Sequence, residues 1–522
     1  MRRAIILFTR VPVPGKTKTR LMPFLSREDC AALHRELIRS ASQACRGVDA
    51  DILVYYALPE GACPSHKGKQ NGMSMDDFKK LIKDARGFYP QKGEGLGERM
   101  SRAFAEAFAL GYERVLLTGT DIPQITADIF RQSFCSLEEC DAVVNPTADG
   151  GYYLIGLKSA RDDIWDIPHY GTNTVFEDTI CRIEKAGLRV CSGQTLSDID
   201  TKEDLMAWYG ADRCIHCGAC KRNCRFLKKY GIDLAGLAER PELAYSCFLC
   251  GRCREVCPKD IDGARIAVLM RQMRPDRDSY KGLLWEKSPY KFANYRKGRK
   301  KSVLFPGCNF TAFYPKTTKY LERLMRKHEI GTIYDCCGKP VYELGLRADS
   351  EDNLDRIAGR LKEQGAEELV VLCPNCYHFL KDRLDIPVVT VYHKLKELGE
   401  GRTVIKDRIP IYYPCPDRDK KEMFQDVCRF LEGSVTEPFG NVQCCGLGGC
   451  AGIREPKLSR EMAKSAKDNG GALYTYCASC ISSFRRNGME EAYHILPMIL
   501  GIEEKVPLGI LPFMNRARRK LL

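Results

Sequence analysis

A five-cysteine pattern occurs twice in the last third of this chain, and it constrains fold and chemistry more than any other feature. The first copy is Cys308, the adjacent pair Cys336 and Cys337, and then Cys373 and Cys376 in "CPNC". The second is Cys415, the pair Cys444 and Cys445, and then Cys477 and Cys480 in "CASC". The four landmarks are offset by 107, 108, 104 and 104 residues, and glycine follows each pair as "CCG". Such regular offsets imply an internal duplication, each half running strand, cysteine, helix, strand, "CCG", helix, strand, "C-x-x-C". Thiolates are soft ligands that select iron–sulfur clusters, zinc or copper(I). Five of them exceed the four of a tetrahedral zinc site.

A chain of 522 residues is too long for one core and predicts several domains. Its 44% hydrophobic and 29% charged content fits a globular protein. No apolar run approaches the length that crosses a bilayer. The start "MRRAIILFTR" has too short an apolar stretch for a signal peptide and reads as a first strand. The expected location is the cytoplasm, where 27 cysteines serve metals rather than disulfides. Residues 1–210 hold 27 Lys+Arg and 29 Asp+Glu, whereas 211–522 hold 55 and 39. A basic half can serve nucleic acid. Here thiolate-ligated clusters, themselves anions, account for the surrounding cations, and no nucleic-acid partner is expected. The basic run "YRKGRKK" at 295–301 reads as a solvated linker.

Four modules are expected: 1–210, 211–300, 301–408 and 409–522. In the first, "AIILF", "ADILVYYAL", "RVLLTG", "DAVVNP" and "YYLIGL" read as strands. "REDCAALHRELIRSASQAC", "GERMSRAFAEAFALG" and "TNTVFEDTICRIEKAG" have helical periodicity. This alternation predicts a layered α/β domain with a mostly parallel sheet. The second module is short of apolar residues and rich in cysteine, so metal should hold it together.

"CIHCGACKRNC" (214–224) and "CFLCGRCREVCP" (247–258) share the spacing C-x-x-C-x-x-C-x-x-x-C. They resemble the two-cluster bacterial ferredoxin signature, in which three cysteines of one motif join the fourth of the other. The resemblance implies one [4Fe–4S] cluster on Cys214, Cys217, Cys220 and Cys257, and another on Cys247, Cys250, Cys253 and Cys224. Arg225 stands where proline is common. Two structural zinc sites are the competing reading.

The duplicated pattern resembles the CCG domains of the B- and D-type subunits of heterodisulfide reductase, and of iron–sulfur subunits of glycolate and lactate oxidation systems. The order of a two-cluster ferredoxin module and two CCG domains covers residues 211–522. The resemblance implies a noncubane [4Fe–4S] cluster on each five-cysteine set, with Cys337 and Cys445 at the reacting surface. Zinc on four cysteines is again the alternative. Cys428 and Cys450 fall outside the pattern, with Cys450 read as a small buried residue, and His378 as packing. No flavin fingerprint accompanies these domains, so a redox partner protein, flavoprotein or ferredoxin, is expected.

At the N-terminus, "LFTRVPVPGKTKTRL" (7–21) follows a strand with a basic loop bearing Arg10, Lys16, Lys18 and Arg20, suited to polyphosphate. It lacks the P-loop spacing. "LLTGTDIP" (116–123) puts Asp121 past a strand end, and "SDIDTKEDL" (197–205) supplies Asp198 and Asp200. Carboxylates from two strand ends suit Mg²⁺ against phosphates. With "QKGEGLGERM" (91–100) and "TADGGYYLIGL" (147–157), these stretches resemble the DUF2064 family over about residues 3–207. That family has a GT-A-like fold and is associated with glycosyl- or nucleotidyltransferases, including those of arsenosugar biosynthesis. The family usually has lysine where Arg10 stands. The resemblance implies Asp121 and Asp200 as metal ligands, Arg10, Lys18 and Arg20 at a nucleotide or nucleotide sugar, and Asp149, Gly150 and Gly151 at the acceptor pocket. Asp198 reads instead as the N-cap of "TKEDL".

The combined expectation is a bifunctional protein: a heterodisulfide-reductase-like oxidoreductase acting on a disulfide, fused to a transferase. Two rivals stand beside it. One is an electron-transfer subunit of a 2-hydroxy acid oxidation system, and the other a nonenzymatic nucleotide-binding iron–sulfur scaffold.

Overall fold

The computed structural model describes residues 2–58, 73–167, 169–288, 290 and 300–521. Residues 295–299 of the basic run therefore lie outside the described residues. Two compact units divide the chain, Met1–Trp208 and Tyr209–Leu522.

The first unit is built on seven strands: β1 (Arg3–Arg10), β2 (Asp51–Ala57), β3 (Ala85–Pro90), β4 (Arg114–Gly119), β5 (Ala142–Pro146), β6 (Tyr152–Leu157) and β7 (Val190–Cys191), in the order β3-β2-β1-β4-β6-β5-β7. All neighbours pair in parallel except β6, which is antiparallel to β4 and β5. The apolar runs are continuous because both faces of the sheet are covered. On one face Ile5, Leu7 and Val54 pack with Ile38 and Ala41 of the helix Arg27–Arg46 and with Phe130 and Phe134 of Ala127–Glu139. On the other, Ile6, Leu53 and Val115 pack with Met100 and Phe104 of Leu96–Ala109 and Ile183 of Val175–Lys185. Neighbouring residues point to opposite faces, as a strand requires. The result is a Rossmann-like α/β sandwich. Parallel β1 and β4 end on the same edge, so the basic loop after Arg10 and the Asp121 turn emerge together.

The sequence reading missed β3, β7 and the helix Ala127–Glu139. Strand β3 is only partly buried along its length, so it lacks the apolar run that marked the central strands. The expectation that cysteines avoid disulfides fails at one pair. Cys140 and Cys191 are bonded, with Cα atoms 6.0 Å apart. The cause is topological: Cys140 ends the helix before β5, and β5–β7 pairing sets Val143 opposite Cys191. The other described cysteines are free.

In the second unit the duplication is visible in the strands. The first repeat has β8 (Ser302–Phe305), β9 (Gly331–Thr332), β10 (Glu368–Val371) and β11 (Val388–Thr390), all parallel in the order β11-β10-β8-β9. The second has β12 (Val404–Pro410), β13 (Leu431–Thr436), β14 (Leu473–Thr475) and β15 (Ala492–His494). Its pairs β12-β13 and β14-β15 are also parallel, and the bridge Ile411–Tyr474 joins them in the same order. Each cysteine landmark lies just after a strand, so parallel pairing gathers all five at one edge. Among the described residues no helix is long and apolar enough to cross a membrane.

Candidate functional site

The two ferredoxin-like motifs fold alike. His216 and Gly218 in the first, and Leu249 and Gly251 in the second, are left-handed at corresponding positions (φ 52°, 69°, 49° and 76°). These turns wrap the chain around its own sulfurs. Cys214, Cys217, Cys220 and Cys257 line one small cavity with Asp233 and Leu234. Cys253 has Cys247, Cys250 and Cys224 as its nearest charged neighbours, so the other four also converge. The sulfurs already receive backbone N–H groups: Leu234 and Lys221 donate to Cys220, and Leu227 and Phe226 to Cys224. Gly263 is tight for the same reason, since a Cβ there would meet the Cys253 sulfur at 2.7 Å.

In the first cysteine-rich repeat all five thiols form one chain. Cys308 lies against Cys336, Cys336 against Cys337, and Cys376 against both Cys337 and Cys373. The neighbouring thiols Cys336 and Cys376 hold the Cys337 thiol below its ordinary value, against its burial. In the second repeat Cys480 lies against Cys445 and Cys477, and Cys415 is near Cys445 and Cys477. The fifth thiol, Cys444, points its S–H at Met462 Sδ, 3.4 Å away, and lies beside Cys250 of the second ferredoxin-like motif. Each set has a cation at its first cysteine. Lys287 Nζ lies 3.4 Å from Cys308 Sγ, and Arg418 Nη2 3.4 Å from Cys415 Sγ. The two sets are also tied together. Asn309, next to Cys308, donates to Ser479 of "CASC" at 2.7 Å, and His378, beside "CPNC", meets Asp417 at 2.8 Å. Lys339 feels both Cys337 and Cys415. His378 thus bridges the repeats through Asp417, while Cys450 packs with Tyr245, Tyr280 and Leu344. Cys428 is exposed.

The first unit holds a cleft of about 630 Å³ lined by Arg10, Lys16, Lys18, Arg20, His34, Gln91, Glu94, Arg99, Asp121 and Asp200. Lys18 is left-handed (φ 52°), which turns its side chain inward. Its Nζ lies 3.1 Å from both Asp121 and Asp200, and 2.5 Å from the Ile199 carbonyl. Burial raises the Asp121 carboxyl, but the Lys18 charge, with the His34 ring 3.4 Å away, outweighs it and holds it far below the usual range. Asp198 moves the other way, up to about 6, through burial and the nearby charges of Asp149 and Asp200. It does not cap the helix Lys202–Trp208. Thr201 does: its Oγ1 accepts from Asp204 N, and Asp204 Oδ2 accepts from Thr201 N. That reciprocal box needs a residue directly before the helix, and Asp198 stands too far upstream. Asp149, Gly150 and Gly151 form the turn between β5 and β6, with Asp149 accepting from Thr147 and Gly151. They are not among the residues that line the cleft, but Asp149 faces Asp198.

Three family models match separate stretches of the chain. One, an uncharacterized protein conserved in bacteria (DUF2064), matches residues 68–172. A 4Fe–4S dicluster domain matches 210–261, and a cysteine-rich domain, CCG, matches 302–381 and 411–485. The chain joins a DUF2064 domain to a 4Fe–4S dicluster domain and two CCG domains. The basic loop and Asp200 lie outside the matched part of DUF2064, whereas Asp121 and Asp149 lie inside it. Among curated relatives, a subunit of the fumarate reductase (CoM/CoB) of Methanothermobacter marburgensis is 24% identical over 330 residues, 51% of this chain and 66% of its own length. The chain thus spans about two thirds of that relative. A subunit of the ferredoxin:CoB-CoM heterodisulfide reductase of Methanosarcina acetivorans is 33% identical over 85 residues, 14% of this chain and 33% of its own. A solved candidate nucleotide-diphospho-sugar transferase from Desulfovibrio desulfuricans G20 is 31% identical and covers 42% of this chain and 91% of its own, with a TM-score of 0.37.

Several residues of the dicluster and CCG domains carry no motif signal. Arg271 is fully buried and donates to the carbonyls of Ala244, Cys247, Glu343 and Gly449, which belong to the dicluster domain and both repeats. Lys287, Arg418 and Lys339 are equally silent in sequence. One signal was readable in principle. The glycines of "CCGLGGC" allow close approach, since a Cβ at Gly448 would meet Phe248 O at 2.1 Å.

Proposed function

We propose that residues 211–522 form an iron–sulfur oxidoreductase that reduces a small-molecule disulfide. Electrons enter from a partner flavoprotein or ferredoxin, pass two [4Fe–4S] clusters held in 211–300, and reach paired sites in the CCG domains 301–408 and 409–522. We propose that residues 1–210 form a cytoplasmic Mg²⁺-dependent glycosyl- or nucleotidyltransferase. The single observation carrying the redox reading is the coupling of the two five-cysteine sets through Asn309–Ser479, His378–Asp417 and the shared Lys339. Likeness to subunits of a fumarate reductase (CoM/CoB) and of a heterodisulfide reductase supports the substrate class.

The residues present fit iron–sulfur clusters. Tyr290 and Tyr412 have buried hydroxyls with no partner among the described residues. Tyr290 faces Cys308 and Cys336, and Tyr412 faces Cys415, Cys480 and Cys445. Buried donors are rarely left unpaired, and a ligand thiolate or a cluster sulfide would offer each an acceptor. When bound, the clusters supply one-electron transfer. Reducing a disulfide breaks one S–S bond, consumes two electrons and two protons, and releases two thiols. Lys287 and Arg418 offset the negative charge of the thiolates, and Lys339 holds a cation between the two sets where a thiolate product would form.

In the cleft, Asp121 and Asp200 are the proposed Mg²⁺ ligands. Arg10, Lys16, Lys18 and Arg20 would hold the phosphates, and Asp149–Gly151 the acceptor side. Lys18 now spans both carboxylates. A divalent ion taking them would free its ammonium for a phosphate.

Cys445→Ser and Cys337→Ser test the paired mechanism. Serine is a harder, poorer ligand for cluster iron. Each substitution should lower disulfide turnover by about two orders of magnitude or more, while the spectra of the two dicluster-domain clusters persist. Normal turnover in either variant would sink the paired mechanism and leave an electron-transfer subunit.

A further inference from the structure

Gln443 stands directly before the Cys444–Cys445 pair and is 5% exposed. Its Oε1 accepts the backbone N–H of Arg225 at 2.8 Å, which fixes the amide's orientation. Its Nε2 then points at two sulfurs of the dicluster domain, Cys224 at 3.5 Å and Cys250 at 3.6 Å. Its main-chain oxygen accepts from Arg418 Nη2 at 2.9 Å, the same nitrogen that reaches Cys415 Sγ. The next residue, Cys444, lies beside Cys250. One residue of the second CCG domain therefore contacts two proposed ligands of one cluster and is bonded in sequence to a proposed ligand of another.

The first CCG domain has no counterpart. Its residue before the pair is Asp335, whose carboxyl group carries no N–H. It accepts from Cys336 N and Tyr290 N through Oδ1, and from Arg356 through Oδ2. The duplication is thus broken at this position, on the side of the second repeat that meets the dicluster domain.

An N–H directed at a ligand sulfur withdraws electron density and favours the reduced, more negative cluster, and so raises its potential. We propose that Gln443 is a positioning residue that raises the potential of the cluster on Cys224, Cys247, Cys250 and Cys253 above that of its neighbour. That makes this cluster the exit toward the second CCG domain. The inference rests on the iron–sulfur reading above, but only its exit role depends on what the CCG domains hold.

The test is an EPR-monitored redox titration of the full chain purified without oxygen. Gln443→Glu keeps the acceptor for Arg225 and replaces the donor with an anion. Gln443→Met removes the donor without adding charge. At a fixed potential, Gln443→Met should shift the oxidised-to-reduced ratio of one dicluster-domain cluster about tenfold toward oxidised, equivalent to about 59 mV for one electron. Gln443→Glu should shift it further, and the other cluster should not move. Iron content separates these results from loss of a cluster, and if one variant fails to load, the other carries the test. Unchanged potentials, or equal shifts of both clusters, overturn the proposal. Zinc in the CCG domains would defeat the disulfide-reductase reading and the exit role, while a selective shift would still uphold Gln443 as the tuning residue.

Discussion

At the residue scale, buried polar groups decide how the CCG pair is held. Arg271 is an example. Its guanidinium satisfies carbonyls from three stretches of chain far apart in sequence, and nothing local marks it as different from an exposed arginine. His494 is the titratable case. It is buried between the rings of Phe310 and Tyr314, and its Nδ1 accepts from Leu496 N. Burial lowers its pKa to about 3 from the ordinary histidine value of 6.5. The folded state therefore binds fewer protons than the unfolded one between these values. The associated stability is complete above pH 6.5 and is lost as pH falls toward 3, at about 1.4 kcal/mol per unit for one proton. His494→Gln should flatten this dependence. Thermal or urea unfolding of parent and variant at about pH 5 and pH 7 measures it, and parallel pH profiles would reject the assignment.

At the element scale, parallel strands explain why cysteines scattered over about 70 residues of each repeat meet. The periodic features were legible: apolar runs became β1, β2, β4, β5 and β6, and the three helical patterns became helices. Edge strands such as β3 were not, because an edge needs no apolar run. The loop after the second "CCG" carries a different constraint. A methyl at Gly448 would overlap the Phe248 carbonyl at 2.1 Å, and neither backbone can retreat without opening the contact between repeat and dicluster domain. Gly448→Ala should destabilise by about 1–3 kcal/mol, as overpacking does. It should also release iron preferentially from the cluster next to Phe248. A melting curve with iron and sulfide analysis would show this, and a variant melting with the parent at full iron content would contradict it.

For the whole molecule, the division between Trp208 and Tyr209 separates the two proposed chemistries, which share no proposed ligand. Four [4Fe–4S] clusters amount to about 16 iron atoms per chain, all expected from residues after 210. Asp121→Ala should abolish Mg²⁺-dependent turnover of a nucleotide or nucleotide sugar and leave that iron count and the cluster spectra unchanged. Iron loss in this variant would show that the units fold as one, and retained turnover would remove Asp121 from the metal site. About eight iron with about two zinc in the parent would make the CCG repeats zinc domains. The amino-acid sequence alone determined the duplication, the ferredoxin-like spacing and the α/β alternation, because each is a regularity along the chain. The proposed ligand sets rest on the same one-dimensional pattern. Only the tertiary structure decided that Lys18 bridges Asp121 and Asp200, that Thr201 rather than Asp198 caps the helix, and that Cys140 meets Cys191. It also brought Gln443 to Cys224 and Cys250. These contacts join residues whose separation in sequence carries no period, and they arise from strand order and from close approach at glycine, which no local propensity encodes.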